Sequence, residues 1–104
     1  MIDPKQKLTT QQIRDAELTG WRQIDETIQA QFATGDFDTG LKLVNLIGES
    51  AEAANHHPDI ALTYPNVSVT LSSHDVGGLT SRDVTLARKI TEHAEGLGVK
   101  ATEG

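Results

Sequence analysis

The alternation of apolar and polar residues between positions 59 and 72 constrains the fold of this chain most. Three apolar residues recur at every second position on each side of a short interruption, at Ile60, Leu62, Tyr64, Val67, Val69 and Leu71. A period of two is typical of half-buried strands. The interruption, Pro65-Asn66, suits a tight turn, because proline presets the first central position and asparagine tolerates positive φ at the second. This predicts an antiparallel hairpin that pairs Ile60 with Leu71, Leu62 with Val69 and Tyr64 with Val67.

Residues 9–32 predict one short helix followed by two short strands. Thr9 or Thr10 caps the helix, and Gly20 closes it. The apolar side of this helix is expected to comprise Ile13, Ala16 and Leu18. The two strands meet at a turn near residues 25–26 and carry apolar residues at Trp21, Ile24, Ile28 and Phe32.

Two longer helices follow from apolar residues at helical spacing. The first begins after Asp36 or Asp38 and ends near residues 55–57, because Pro58 disfavours a helical His57. Its buried stripe is expected to comprise Phe37, Leu41, Val44, Ile47, Ala51 and Ala54, widened by Leu43 and Leu46. The second begins at the capping-box pattern Thr80-Ser81-Arg82-Asp83 and ends at residues 96–98, before a frayed tail. Its inward face is expected to comprise Val84, Ala87, Ile90, Ala94 and Leu97.

The predicted order is α-β-β-α-β-β-α. Hairpin-joined strand pairs with helices between them predict an α+β fold, a four-stranded antiparallel sheet with three helices packed on one face. The 104 residues are enough for one domain. We therefore expect a single domain over residues 1–104, with its core from about residue 8 to residue 97.

Composition excludes several classes of function. The chain has no cysteine, which rules out disulfides, thiolate nucleophiles and cysteine-ligated zinc. Its formal net charge of −6, with scattered lysines and arginines, argues against nucleic acid and anionic membranes as partners. No apolar stretch is long enough to span a bilayer, and residues 1–10 lack the apolar stretch of a signal peptide. These features predict a cytoplasmic protein.

Three of the four histidines lie between positions 56 and 74. Extending the predicted hairpin pairing beyond the strands puts His57 opposite His74 on the polar face of the sheet. His56 lies beside His57, and Glu52 projects from the same side as His56 if the last helical turn persists. Asp75 and Asp83 follow His74 closely. Such a group favours proton transfer, because imidazole titrates near neutral pH and a neighbouring carboxylate can fix its tautomer.

The same residues are also compatible with roles other than proton transfer. Three histidines and a carboxylate could bind zinc, although adjacent histidines rarely converge on one metal and no HxH or HxxxH spacing is present. Glu52 could simply end a helix, and Asp83 could act only as a helix cap. His93 is expected to be an ordinary surface or core histidine. Ser72 and Ser73 lie near His74, but no nucleophile-elbow pattern surrounds them.

The chain closely resembles the pterin-4a-carbinolamine dehydratases in motifs that keep the same order and spacing from Glu52 to Ala87. The motifs are Glu52-x-x-x-His56-His57-Pro58, Tyr64, Ser73-His74-Asp75, and Gly78-Leu79-Thr80-x-Arg82-Asp83 followed by Leu86-Ala87. Trp21 and the turn between Phe32 and Phe37 also resemble that family. The resemblance covers about residues 8–97, which is nearly the whole chain.

The resemblance implies a four-stranded antiparallel sheet with three helices. It implies dehydration of 4a-hydroxytetrahydrobiopterin to quinonoid dihydropterin, with no metal and no cofactor. The implied catalytic residues are His56, His57 and His74. The implied substrate-binding positions are Glu52, Asn55, Ser72, Ser73, Asp75, Arg82 and Asp83. Ile60 stands where many members have an aromatic residue, and Asn55 where some have an acidic one.

The family also sets expectations about partners. Its members recycle pterin for aromatic amino acid hydroxylases and commonly form dimers or tetramers, so we expect a pterin substrate and a homo-oligomer. The alternative is a non-enzymatic binding or assembly protein, or a transcriptional cofactor, on the same fold. The intact set of three histidines favours the enzyme, because a scaffold would not need it.

Overall fold

A computed structural model describes residues 3–102 of the chain. Three helices and five strands follow one another as α1 (Thr10–Asp15), β1 (Arg22–Ile24), β2 (Thr27–Ala33), α2 (Phe37–Ala54), β3 (Asp59–Thr63), β4 (Asn66–Leu71), α3 (Ser81–Gly96) and β5 (Lys100–Ala101). The predicted α+β fold is confirmed, and β5 is an addition to the predicted order. No helix in this part of the chain has both the length and the hydropathy needed to cross a membrane.

The sheet is antiparallel, with the strand order β1-β2-β4-β3. Ile28 pairs with Leu71 and Phe32 with Val67 across the two central strands. These four side chains are almost fully buried and point to the face that the helices cover. The central strands therefore form the floor of the core, and the chain leaves β4 directly beside the ends of α2 and α3.

The hairpin forms as predicted, but its register is shifted by two residues. Tyr64 and Pro65, joined by a cis peptide bond, make the turn, so Thr63 pairs with Asn66 and Ile60 with Val69. The predicted pairs, Ile60 with Leu71, Leu62 with Val69 and Tyr64 with Val67, are wrong because the turn centre lies one position earlier than expected. A shift of two residues keeps each side chain on its face. The predicted inward residues of both strands therefore still face the core, except Tyr64, which is exposed in the turn.

Helix α2 begins after Asp36 as predicted, and the Asp36 carboxylate accepts a hydrogen bond from the Thr39 amide at 2.7 Å. That bond holds the pKa of Asp36 below its ordinary value. The buried stripe of α2 differs from the prediction, because it comprises Gly40, Leu43, Ile47 and Ala51. Phe37 and Leu41 are 51% and 44% exposed. The stripe is rotated because Gly40 lets the helix lie close against Leu62 and Val67.

Both ends of the chain differ in part from the predictions. Thr9 caps α1 through a capping box with Gln12, but the helix ends by Ala16, so Leu18 lies beyond it. Helix α3 has the predicted Thr80/Asp83 capping box and buries Val84, Ala87, Ile90 and Ala94, as predicted. The expected frayed tail is wrong for residues 99–101, because Val99 is buried and Lys100–Ala101 pairs with the end of β2, while residues 103–104 lie outside the described residues.

Two glycines inside α2 provide a matched test of the close packing at Gly40. An added Cβ at Gly48 meets nothing within 4 Å, whereas one at Gly40 would lie 2.7 Å from Cδ1 of Leu62. Alanine is favoured over glycine within a helix, so G48A should raise the free energy of unfolding by about 0.5–1 kcal/mol. G40A should gain less, because Leu62 must move. Urea denaturation compares the two variants, and an equal gain in both would contradict the close approach.

Candidate active site

Asn55 ends helix α2 in a left-handed conformation, with φ of 50°. Asparagine adopts this conformation more readily than most residues do. The turn is closed by two amides, because Asn55 donates to the carbonyl of Glu52 at 3.2 Å and His56 donates to that of Ala51 at 3.1 Å. The chain therefore reverses within one residue, so that His56 is buried and His57 is exposed.

A buried carboxylate, that of Asp83, binds His56. Asp83 has no exposed surface and His56 is 8% exposed. Nε2 of His56 lies 2.6 Å from Oδ1 of Asp83. The other carboxylate oxygen accepts hydrogen bonds from the Ser73 hydroxyl at 2.8 Å and from the Thr80 amide at 2.9 Å. Asp83 is therefore both the predicted cap of α3 and the partner of a candidate catalytic histidine.

The hydrogen bonds around Asp83 fix the direction of each donor. Ser73 has one hydroxyl proton, which it donates to Asp83, so the Thr80 hydroxyl, 2.9 Å away, donates to Ser73. A carboxylate only accepts, so Nε2 of His56 carries the proton that faces Asp83. Nδ1 is then the nitrogen of His56 that can take up a further proton. No buried side-chain nitrogen or oxygen within residues 3–102 lacks a partner.

Glu52 pairs with His57, through a contact between Oε2 and Nε2. The expectation that Glu52 lies beside His56 is wrong, because the helix ends at Asn55 before the four-residue spacing reaches His56. The side chains of His57 and Glu52 are 57% and 78% exposed. Two adjacent histidines therefore each meet a carboxylate through Nε2, one pair buried and the other in solvent.

His74 is the first residue after Ser73 in a closed loop, residues 73–78. Ser73 and Gly78 close the loop by two backbone hydrogen bonds of 2.8 and 3.3 Å, and Gly77 turns the chain with φ of 64°. His74 is exposed. Strand pairing does not place His57 opposite His74 as predicted. The observed register of β3 and β4 instead brings position 57 toward position 72.

Arg82 ties this loop to the start of α3. Its guanidinium donates to Asp75 at 2.8 Å through Nη2 and to the Thr80 hydroxyl at 3.1 Å through Nε. The hydrogen bond from Arg82, with a smaller contribution from the charge of Lys5, holds the pKa of Asp75 below its ordinary value. A continuous chain of contacts thus joins six residues, Asp75, Arg82, Thr80, Ser73, Asp83 and His56.

A cleft of about 980 Å³ extends over α3 beside the end of α2. Its lining includes Ala53, His56, Ser81 and Arg82, whereas Glu52, His57 and His74 lie outside that lining. Of the three predicted catalytic histidines, the cleft therefore reaches the buried His56 and does not reach the exposed His57 and His74. No group of three or more histidine, aspartate or glutamate side chains within residues 3–102 could hold a metal ion, and the metal-free site stays a prediction.

Two predicted residues have less direct connections, and one unpredicted residue is central. Ser72 is half-buried directly after β4. Ile60 is partly buried and packs on the core. Thr80 joins the network through its hydroxyl, whereas its sequence pattern predicts only a helix cap. The capping-box pattern locates Thr80, but no sequence signal indicates that its hydroxyl meets Ser73.

Comparison with known proteins identifies the family. A family model described as "Pterin 4 alpha carbinolamine dehydratase" matches residues 6–93. The chain belongs to this family. A relative from Aquifex aeolicus, named "Putative pterin-4-alpha-carbinolamine dehydratase", is 40% identical over 88 residues, which make up 83% of this chain and 89% of that protein.

Two solved structures are similar to this pterin-4a-carbinolamine dehydratase family member. The first, a "transcriptional coactivator/pterin dehydratase" from Brucella melitensis, has a TM-score of 0.82 and 33% identity, and the match covers 86% of this chain and 99% of that one. The second, a "pterin dehydratase-like protein" described as a RuBisCO assembly factor in the alpha-carboxysome, has a TM-score of 0.62 and 19% identity over 72% of this chain and 89% of that one. The second likeness shows the fold alone.

Removal of the Asp83 carboxylate should destabilise the protein strongly. D83A leaves His56, Ser73 and the Thr80 amide buried without their acceptor, so the free energy of unfolding should fall by about 3 kcal/mol. D59A, which removes an exposed carboxylate from β3, should change it by no more than about 0.5 kcal/mol. Urea denaturation of both variants measures the difference. Similar small losses would contradict the network.

Arg82 should control the titration of Asp75. Because the folded-state pKa is lowered, the ion pair contributes stability above the ordinary carboxyl pKa of 3.8 and loses it as pH falls through the folded value. R82M should raise the pKa of Asp75 toward 3.8, measured by NMR of its carboxyl carbon. R88M serves as the control, since Arg88 donates to the Ala16 carbonyl instead. An Asp75 titration that R82M leaves unchanged would rule out the pair in solution.

Proposed function

We propose that this protein is a hydro-lyase that dehydrates 4a-hydroxytetrahydrobiopterin to quinonoid dihydropterin. Family membership supports the reaction class. The observation that carries the proposal is the arrangement at the end of α2, where His56 and His57 each contact a carboxylate through Nε2. This arrangement leaves Nδ1 of both imidazoles available to contact another molecule.

The reaction requires two proton movements. The hydroxyl on C4a leaves as water after one group donates a proton to its oxygen. A second group removes the proton from N5, and the electron pair of that N–H bond forms the C4a=N5 double bond. Only protons and water are exchanged, so the reaction needs no redox or group-transfer cofactor.

We assign the two proton transfers to His57 and His74, because both imidazoles are exposed. Glu52 accepts a hydrogen bond from Nε2 of His57. This bond orients the imidazole ring and stabilises the ring when it becomes positively charged. His56 is held by Asp83, and its Nδ1 is proposed to hydrogen-bond the pterin. His56 therefore positions substrate beside the two exchanging groups.

The remaining predicted residues divide by exposure. Asn55 and Asp75 are exposed and Ser72 is half-buried, so we propose that they contact the pterin. Ser73 and Asp83 have no exposed surface, and Arg82 is engaged with Asp75 and Thr80. We propose that these three hold the site in shape instead of binding substrate.

The wider setting of the reaction remains a proposal. We propose that the protein works in the cytoplasm as a dimer or tetramer and recycles pterin for an aromatic amino acid hydroxylase. The alternative is a non-enzymatic assembly or coactivator role, since the similar structure from Brucella melitensis carries both "transcriptional coactivator" and "pterin dehydratase" in its name. Such a role would not require the two histidine–carboxylate pairs.

Stopped-flow measurement of carbinolamine loss tests the proposal. The wild-type protein should accelerate the loss over the uncatalysed rate, and H57A and H74A should each lower kcat by about 10²–10⁴-fold if each histidine transfers a proton. H93A is the matched control. His93 pairs with Ser50 at 2.6 Å, between α2 and α3, and takes no part in the proposed chemistry.

The rates separate the two functions. H93A should keep kcat within about twofold of wild type, because His93 transfers no proton in the proposed reaction. A wild-type rate equal to the uncatalysed one would refute the enzyme and favour the assembly role. Full activity in a variant lacking both His57 and His74 would refute the assignment of roles.

A further inference from the structure

The segment Lys5–Leu8, here named the N-terminal strap, lies across the loop that carries His74. The Leu8 amide donates to the Leu79 carbonyl at 2.7 Å, at the end of this loop. Each end of the strap is fixed locally. Thr9 and Gln12 form the capping box of α1, and the Lys5 amide donates to the Asp3 carboxylate at 2.9 Å. The strap therefore lies against residues 78–79, at the end of the loop.

Lys7 is the strap residue that covers the loop. An added Cβ at Gly78 would collide with Cε of Lys7 and would lie 3.1 Å from its Cγ, so the methylene chain of Lys7 lies directly on Gly78. The same Cβ would lie 2.9 Å from Oε2 of Glu26. Nζ of Lys7 lies 3.7 Å from that carboxylate oxygen. Lys7 and Glu26, from the turn between β1 and β2, thus close over the base of the His74 loop.

We propose that Lys7 is a positioning residue that holds the His74 loop in place through its contact with Gly78. This inference rests on the function proposed above, because it assigns the positioning to a histidine that transfers a proton.

The other contacts of the loop lie at Asp75 and at its base. Arg82 restrains Asp75 from α3, and the Ser73–Gly78 bridge closes the base. His74 and Gly77 are both exposed between these anchors. Lys7 supplies contact at Gly78 through its apolar stem while its ammonium group stays in solvent beside Glu26.

The contribution of Lys7 comes from packing more than from charge. An exposed ion pair contributes little by itself, about 1 kcal/mol or less. The methylene stem, by contrast, lies against Gly78 and opposes displacement of the loop toward the strap. Arginine has a similar stem and a permanent charge, so K7R should preserve both features, whereas K7A should lose both.

The test compares K7A and K7R with K42A. Lys42 forms a similarly exposed ion pair, with Asp38 at 3.2 Å on α2, and serves as the matched control. In K7A the imidazole NMR signal of His74 should shift, and kcat should fall by about three- to tenfold with KM within about twofold, because misplacing a catalytic group slows the chemical step. K7R and K42A should resemble the wild type in both measurements.

The variant G78A and the double variant K7A/G78A test the contact between Lys7 and Gly78 from the side of the glycine. G78A places a methyl group where the Lys7 stem lies, so it should lower thermal stability and shift the His74 signal. Adding K7A to G78A removes the part of the obstruction that Lys7 makes, and Glu26 remains, so the double variant should recover part of the stability. Equal stability of G78A and the double variant would overturn the packing of Lys7 on Gly78.

The outcomes distinguish this proposal from the proposed function. An unchanged His74 signal in K7A, or a shifted signal with unchanged kcat, would overturn the positioning role. If the wild-type protein accelerates no dehydration while K7A still shifts the His74 signal, the proposed function fails and the strap still positions His74.

Discussion

The carboxylate of Asp83 has no exposed surface, yet it accepts hydrogen bonds from three parts of the chain. They are His56 after α2, Ser73 after β4, and the Thr80 amide at the start of α3. Burying a carboxylate destabilises a protein unless its oxygens accept hydrogen bonds, so the folded structure must hold all three partners around Asp83 at once. One side chain thereby fixes the ends of three elements against one another. The candidate site is the place where those ends meet.

The network has a direction as well as a position. Thr80 donates to Ser73, Ser73 donates to Asp83, and His56 donates to Asp83 from the other side. Because every donor has one acceptor, neither imidazole orientation nor tautomer is free at His56. Asn55 then turns the chain so that the next histidine meets Glu52 in solvent. Two adjacent residues of the same type thus acquire different surroundings, which allows different roles.

The sequence predicted the three helices and the first four strands, but not the contacts between them. Helical spacing and the capping box predicted α2 and α3 closely, since both patterns are local. The hairpin register was wrong because the turn proved to be Tyr64-Pro65, and the predicted opposition of His57 and His74 depended on it. The exposed Phe37 and the strand β5 were missed because close packing at Gly40 and pairing with β2 are tertiary effects. The pairing of Glu52 with His57 instead of His56 was not predicted, because it depends on the left-handed conformation of Asn55.

The tautomer of His56 tests most directly whether Asp83 organises the site. Nitrogen-15 NMR of the imidazole, recorded where the ring is neutral, distinguishes a proton on Nε2 from one on Nδ1. The structure predicts that Nε2 carries the proton, in a hydrogen bond to Asp83, and that Nδ1 is bare. A proton found on Nδ1 in the neutral ring would contradict the account, because Asp83 could not then be the acceptor that fixes His56.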